Sequence, residues 1–117
     1  MSAAVNQLRQ HFDRELTERQ FQQAVVSLAR VTGWKQYHTF RSDHSPAGFL
    51  DLVLVKDGRI IFAELKRQGG KVTPEQMAWL DELRKVELAA TGCAVLVYLW
   101  RPSDWGQIEA VLTGIAA

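Results

Sequence analysis

The stretch Leu52-Val53-Leu54-Val55, Lys56-Asp57-Gly58-Arg59, Ile60-Ile61-Phe62-Ala63 constrains this chain more than any other. Two β-favouring runs flank an Asp-Gly pair, and Asp-Gly suits the two left-handed positions of a tight hairpin turn. The reading is an antiparallel hairpin with Asp57 and Gly58 as its loop. Lys56 then pairs with Arg59, and carrying that register outward sets Asp51 opposite Glu64. Directly opposed side chains share a face with Cβ atoms about 5 Å apart, and like charges there destabilise a sheet unless something neutralises them. A hard divalent cation such as Mg²⁺ or Mn²⁺, bound through one or two carboxylates, would do so. The inference depends on the turn, because a one-residue change in loop length spoils the opposition.

Glu64 and Lys66 are two apart on the strand and so share a face, whereas Leu65 between them points into the opposite layer. A cation beside such a pair of acids can orient a water or neutralise charge growing on phosphorus. Thr17-Glu18-Arg19-Gln20 has the form in which a cap and the third helical residue satisfy each other's backbone donors. A helix therefore starts there, with Phe21, Ala24, Val25, Leu28 and Ala29 as its apolar stripe and Gly33 as its end. Glu18, three residues before Phe21, lies at the edge of that stripe and is a candidate third acid, with Gln22 on the same side. Thr73-Pro74-Glu75-Gln76 is a second capping box, with Pro at the first helical position, opening a helix to about Ala90. Gln76 sits in its first turn, where free N–H groups favour an anion such as phosphate. Each residue also has a plainer role: Glu18 complements the helix dipole, Gln76 closes its box, and Lys66 alone would be a surface lysine.

The remaining elements complete an α/β pattern. Residues 1–16 carry Val5, Leu8, Phe12 and Leu16 at helical spacing without a firm cap, a short helix or frayed tail set apart from a domain over 17–117. Residues 34–41 alternate as a strand, 42–48 form a polar loop, 93–100 read as a buried strand, and Pro102-Ser103-Asp104 opens a last helix through Trp105, Ile108, Val111 and Leu112. The order is α-β-β-β-α-β-α with a mixed sheet. At 117 residues and 47% hydrophobic, the chain builds a core without staples. Its single cysteine, Cys93, cannot form an internal bridge, and His11, His38 and His44 have no metal-site spacing. These features point to a reducing, cytoplasmic compartment, and the longest apolar run falls far short of a membrane span. The four tryptophans, Trp34, Trp79, Trp100 and Trp105, read as core or interface anchors.

With these residues in place, the chain resembles the VRR-NUC domain of the PD-(D/E)xK nuclease superfamily. The resemblance runs through Gly48-Phe49-Leu50-Asp51, the hairpin, Phe62-Ala63-Glu64-Leu65-Lys66, Thr73-Pro74-Glu75-Gln76 and Trp79-Leu80. Thr17 to Gln22, Gly33-Trp34, Tyr37-His38 and the stretch from Trp100 to Trp105 extend it over nearly the whole chain from Thr17 onward. It implies a restriction-endonuclease-like αβββαβ core, divalent-metal-dependent phosphodiester hydrolysis, and stand-alone phage or bacterial proteins that dimerise and cut branched DNA. Asp51 and Glu64 match the metal-binding acids, Leu65 the position whose carbonyl completes the site, and Lys66 the catalytic lysine. Glu18 matches the helical acid supporting the metal, directly or through water, and Gln76 the glutamine after the E-x-K strand. One departure stands out: the family usually has Pro before the first acid, and this chain has Leu50. Proline fixes the approach to the strand but ligates nothing, so metal binding is expected to survive unless Asp51 is displaced.

The leading expectation is therefore an Mg²⁺- or Mn²⁺-dependent DNA endonuclease acting on branched DNA such as four-way (Holliday) junctions, as a homodimer placing one site on each of two strands. The apolar C-terminal residues and exposed tryptophans are its expected contact. The alternative is a DNA-binding or structural module that keeps the fold and has lost hydrolysis: Leu50 speaks for it, and intact Asp51, Glu64 and Lys66 against it. The formal net charge of +1 excludes a polycation. It is nevertheless a sum of unlike parts, with residues 1–34 at +1, 35–71 at +3 and 72–117 at −3. The middle block holds the proposed site, and with Asp51 and Glu64 offset by a metal, its Lys35, Arg41, Lys56, Arg59, Lys66, Arg67 and Lys71 are left to meet phosphates.

Overall fold

In the computed structural model, which describes residues 2–39 and 47–114, Asp57 and Gly58 take φ of 49° and 78°. Two successive left-handed residues make the turn whose twist matches the flanking strands. They join β2 (Leu52–Lys56) to β3 (Arg59–Leu65), with Lys56 opposite Arg59 and Leu52 opposite Ala63, the register expected from the turn. Strand β1 (Lys35–His38) pairs antiparallel with β2. The last strand, β4 (Val95–Trp100), lies parallel to β3, giving one mixed sheet in the order β1-β2-β3-β4. A parallel neighbour requires a crossover, and helix α3 (Pro74–Ala89) supplies it.

Alternation along the strands sorts the core onto two faces. Ile61, Ala63 and Leu65 of β3 join Leu52, Leu54 and Trp100 beneath α2 (Glu18–Val31) and α4 (Trp105–Thr113). From α2 come Phe21, Val25 and Ala29, all buried; Leu28 is half-buried, and Ala24, expected in the stripe, faces solvent. A stripe of one residue per turn suffices because the helix packs along a narrow seam. Trp34 ties the layer together, its indole N–H donating to the Leu112 carbonyl at 2.9 Å. The opposite face is smaller: Leu50, Leu80 and Val97, with Phe62 and Leu99 against them, pack under α3. Each large apolar side chain buried in this way contributes about 1.5–3 kcal/mol.

The expected element order holds, and the differences lie at the ends. Both capping boxes form, at Thr17 with Gln20 and at Thr73 with Gln76. The N-terminal segment is a helix, α1 (Ala3–Glu15), and it does have a cap: Ser2 Oγ accepts from the Val5 N–H at 3.2 Å. It buries no residue. The strand expected from 93 begins at Val95, because Gly92 and Cys93 take positive φ of 65° and 57° in the preceding turn, which leaves Cys93 exposed. The strand expected over 34–41 is observed over Lys35–His38; positions 40 and 41, with most of the loop expected over 42–48 and with Arg41 and His44, lie outside the described residues. A 3₁₀ turn (Pro102–Asp104) precedes α4. Among the described residues no helix is long and apolar enough to cross a membrane.

Candidate active site

The site forms where the hairpin's open end meets α2 and α3. Asp51 lies in the bend just before β2, and its Oδ2 accepts from the Leu65 N–H at 2.9 Å. That bond pins the acid beside the end of β3 and brings it within hydrogen-bonding reach of the Glu64 carboxyl. The paired register ends at Leu52 opposite Ala63, one residue short of the two acids, and the contact with Leu65 fixes the orientation of Asp51.

Glu64 is 1% exposed, a burial rarely seen for a carboxylate. Gln76 addresses it from α3, the amide Nε2 lying 3.5 Å from Glu64 Oε1. The same Gln76 accepts from the Thr73 N–H through Oε1 at 2.9 Å, while Thr73 Oγ1 accepts from the Gln76 N–H at 3.1 Å. The capping box and the contact to the acid are thus made together, by the two ends of one amide. The other oxygen, Glu64 Oε2, is buried with no hydrogen-bond partner. Burial, then the close approach and negative charge of the Asp51 carboxyl, push the Glu64 pKa from 4.5 up to about 9; Lys66 pulls it down, and Glu18 raises it further. With no cation present, Glu64 therefore keeps its proton at neutral pH.

Lys66 is 8% exposed and continues the sheet pairing, its backbone N–H donating to the Trp100 carbonyl at 3.0 Å. Among the described residues it makes no direct ion pair, so its ammonium acts on Glu64 through space. Glu18, half-buried at the start of α2, shares a groove of about 860 Å³ with Asp51, Leu65, His38 and Gln22. The sheet-facing placement expected of Glu18 and Gln22 is therefore what the fold delivers. Among the described residues no three His, Cys, Asp or Glu side chains converge as a metal cage. What the fold assembles is a pair, Asp51 and Glu64. An orphaned buried oxygen beside a second carboxylate is a donor set suited to a hard cation, which retains water on its other positions. Leu65 adds to it, since in an antiparallel ladder a residue's carbonyl points to the same side as its N–H, here the Asp51 side.

Three features that hold this arrangement escape pattern reading. Gly48 has φ of 80°, and a Cβ there would sit 2.4 Å from the Glu75 carbonyl carbon and 2.6 Å from the Gln76 nitrogen. The turn leading to Asp51 thus lies directly against the first turn of α3, which only glycine permits. Trp79 closes the same approach, its indole donating to the Ala47 carbonyl at 3.2 Å and its ring meeting Phe49 edge-on at 5.0 Å. Beyond Lys66, Arg101 Nη1 donates to the carbonyls of Arg67, Gln68 and Gly70 at 2.9, 3.3 and 2.7 Å, and Gln68 bonds Ser103 twice at 3.0 Å. The motifs around these residues stand out in the sequence; their mutual contacts, some 30 positions apart, do not. Leu50, in the place of the usual proline, is fully buried beside Leu80 and Val97, and Asp51 is not displaced.

No curated protein and no solved structure matches this chain. A family model described as the VRR-NUC domain matches residues 4–96, and on that match, which takes in Asp51, Glu64 and Lys66, the chain belongs to the VRR-NUC family and is a nuclease domain.

Proposed function

We propose that this nuclease domain is a divalent-metal-dependent endonuclease hydrolysing DNA phosphodiester bonds, with branched DNA as substrate and a homodimer as the working form. The observation that carries the reading is Glu64 Oε2, a buried carboxylate oxygen without a donor, facing Asp51 and backed by Lys66. Asp51, Glu64 and the Leu65 carbonyl would hold Mg²⁺ or Mn²⁺, with Glu18 contributing directly or through water. When bound, such an ion supplies Lewis-acid chemistry, activating water and neutralising phosphate charge.

The chain's own groups do the rest. Gln76 holds one Glu64 oxygen and leaves the other free, so the carboxylate presents a fixed edge to the cation. Lys66, largely buried, brings a positive charge and N–H donors that can orient the nucleophile or stabilise charge growing at phosphorus. Of the basic residues of the middle of the chain, Arg67 and Lys71 follow the strand of Glu64 and offer a salt-sensitive phosphate contact, whereas Lys56, which donates to the Thr32 carbonyl, and Arg59 lie over the Trp34 ring. A reducing cytoplasmic setting fits the lone exposed Cys93.

The test is a panel of labelled branched and linear DNAs with Mg²⁺, Mn²⁺ or EDTA, run beside Asp51→Ala and Glu64→Ala. Both variants are expected to fold and to lose cleavage. Robust Mg²⁺-dependent nicking by both would remove the assignment, and tight DNA binding without cleavage in either metal would favour a module that has lost hydrolysis.

A further inference from the structure

Helix α2 carries a polar ridge that the catalytic reading leaves unused. Arg19, Gln22, Gln23, Val26, Ser27 and Arg30 all line the groove that contains Glu18 and Asp51. Their spacing of three and four residues puts them on one side of the helix, beside the buried stripe of Phe21, Val25 and Ala29. Arg19 and Arg30 are eleven residues apart, close to three turns, so they stand on the same line about 16 Å apart. Both are exposed, and among the described residues neither is engaged in an ion pair. Between them lie two amides, a hydroxyl and the half-buried Val26, groups that meet a sugar-phosphate chain without reading its bases. Among the described residues lining the groove none is a Phe, Tyr or Trp.

The line of the two arginines narrows the occupant. Arg19 and Arg30 stand along one wall of the groove, so their charges meet phosphates that follow one another along a single strand. A strand laid along that line can meet both arginines through its backbone phosphates.

We infer that this face of α2 is a backbone track for one nucleic-acid strand, with Arg19 and Arg30 binding phosphates and Gln23 and Ser27 hydrogen-bonding between them, leading the strand to the acids. The inference rests on the nuclease reading of the same groove and adds the strand's path and its anchoring residues. Arg30 also lies in the last turn of α2, where a cation complements the helix dipole. That role moves stability and leaves strand affinity alone.

The experiment measures binding of a labelled single-stranded DNA and of a blunt duplex of the same sequence, in EDTA so that no cleavage occurs, across a salt series. Arg19→Ala/Arg30→Ala, Ser27→Glu and a control, Arg84→Ala/Lys85→Ala on the outer side of α3, are compared with the wild type, each with its melting curve. Two lost contacts to a single strand should flatten the slope of log affinity against log salt by about 1.4. Ser27→Glu should weaken single-strand binding several-fold, with the control's binding near wild type; a lowered melting curve for the arginine pair reports the helix-end role of Arg30 and not the strand contact. In Mg²⁺ the arginine pair should show its loss mainly in KM. An unchanged slope, an equal loss in the control, or an equal loss for the blunt duplex would overturn the track. The two readings fail separately: a wild type that never cleaves but shows the arginine-dependent slope keeps the track and loses the nuclease, whereas cleavage with an unchanged slope does the reverse.

Discussion

At Glu64 the fold bears the cost of a buried carboxyl. Its pKa of about 9 in the folded chain, against 4.5 unperturbed, means that the metal-free native state binds a proton the unfolded state releases. The unfolded state holds fewer protons between those two values, so native stability falls as pH rises through the window. The contribution is complete below pH 4.5 and gone above about 9. Thermal melts of the metal-free protein should therefore drop across this range. Glu64→Gln, which cannot ionise, should flatten the trend, and Mg²⁺ at the alkaline end should restore wild-type stability but not that of the variant. A wild-type profile as flat as that of Glu64→Gln would show that the carboxyl ionises freely. Gln76 is the second residue worth isolating, because it supports an acid without being one. Partners of this kind typically account for about 10–100-fold in metal affinity or activity. Gln76→Ala is expected to lower cleavage by that order, with part of the loss recovered at high metal concentration; full activity in a metal titration would reduce Gln76 to a helix cap. The spacing of Glu64 and Lys66 marks both in the sequence. That Gln76 closes its box and reaches Glu64 at once is visible only when α3 is set against β3.

Among the elements, the hairpin and the two capped helices are legible locally because each is specified by residues within four positions of one another. Asp57-Gly58 sets the turn, the turn sets the register, and the register, carried one residue past its last pair, puts Asp51 beside Glu64. Thr17 with Gln20 and Thr73 with Gln76 start α2 and α3 where reciprocal capping predicts. What resists local reading is how elements abut. Gly48 is an ordinary loop glycine by pattern, and its role appears only in the 2.4 Å between an added Cβ and the start of α3. Gly48→Ala should cost more than about 1 kcal/mol, since alanine at positive φ is strained even before it meets α3. It should also depress cleavage more than a stability loss of that size explains, because α3 carries Gln76. Chemical denaturation beside single-turnover cleavage separates the two effects; wild-type cleavage in a destabilised Gly48→Ala protein would show that this approach does not set the site.

At the scale of the whole molecule, the expected homodimer needs a new contact surface. The tryptophans expected to supply it are engaged within the chain: Trp34 and Trp100 are buried, Trp79 is tied to Ala47, and Trp105 packs against the core, while residues 115–117 lie outside the described residues. The large apolar groups that remain exposed include Val5, Leu8 and Phe12 on α1. Sedimentation equilibrium should return twice the chain mass of 13.2 kDa at working concentration, and a monomer there would remove the two-site scheme for a junction. By itself the sequence determined the hairpin, its register, the helix starts and the shared face of Glu64 and Lys66, because these follow from the pitch of a strand or helix and from bonds between near neighbours. Only the tertiary structure decided that Glu64 is buried with an orphaned oxygen, that Leu65 donates to Asp51, that Arg101 clamps the segment after Lys66, and that the polar side of α2 forms a wall of the groove beside the acids. Those properties depend on which surfaces exclude water and which distant groups meet, and both are settled by the packing of helices on the sheet.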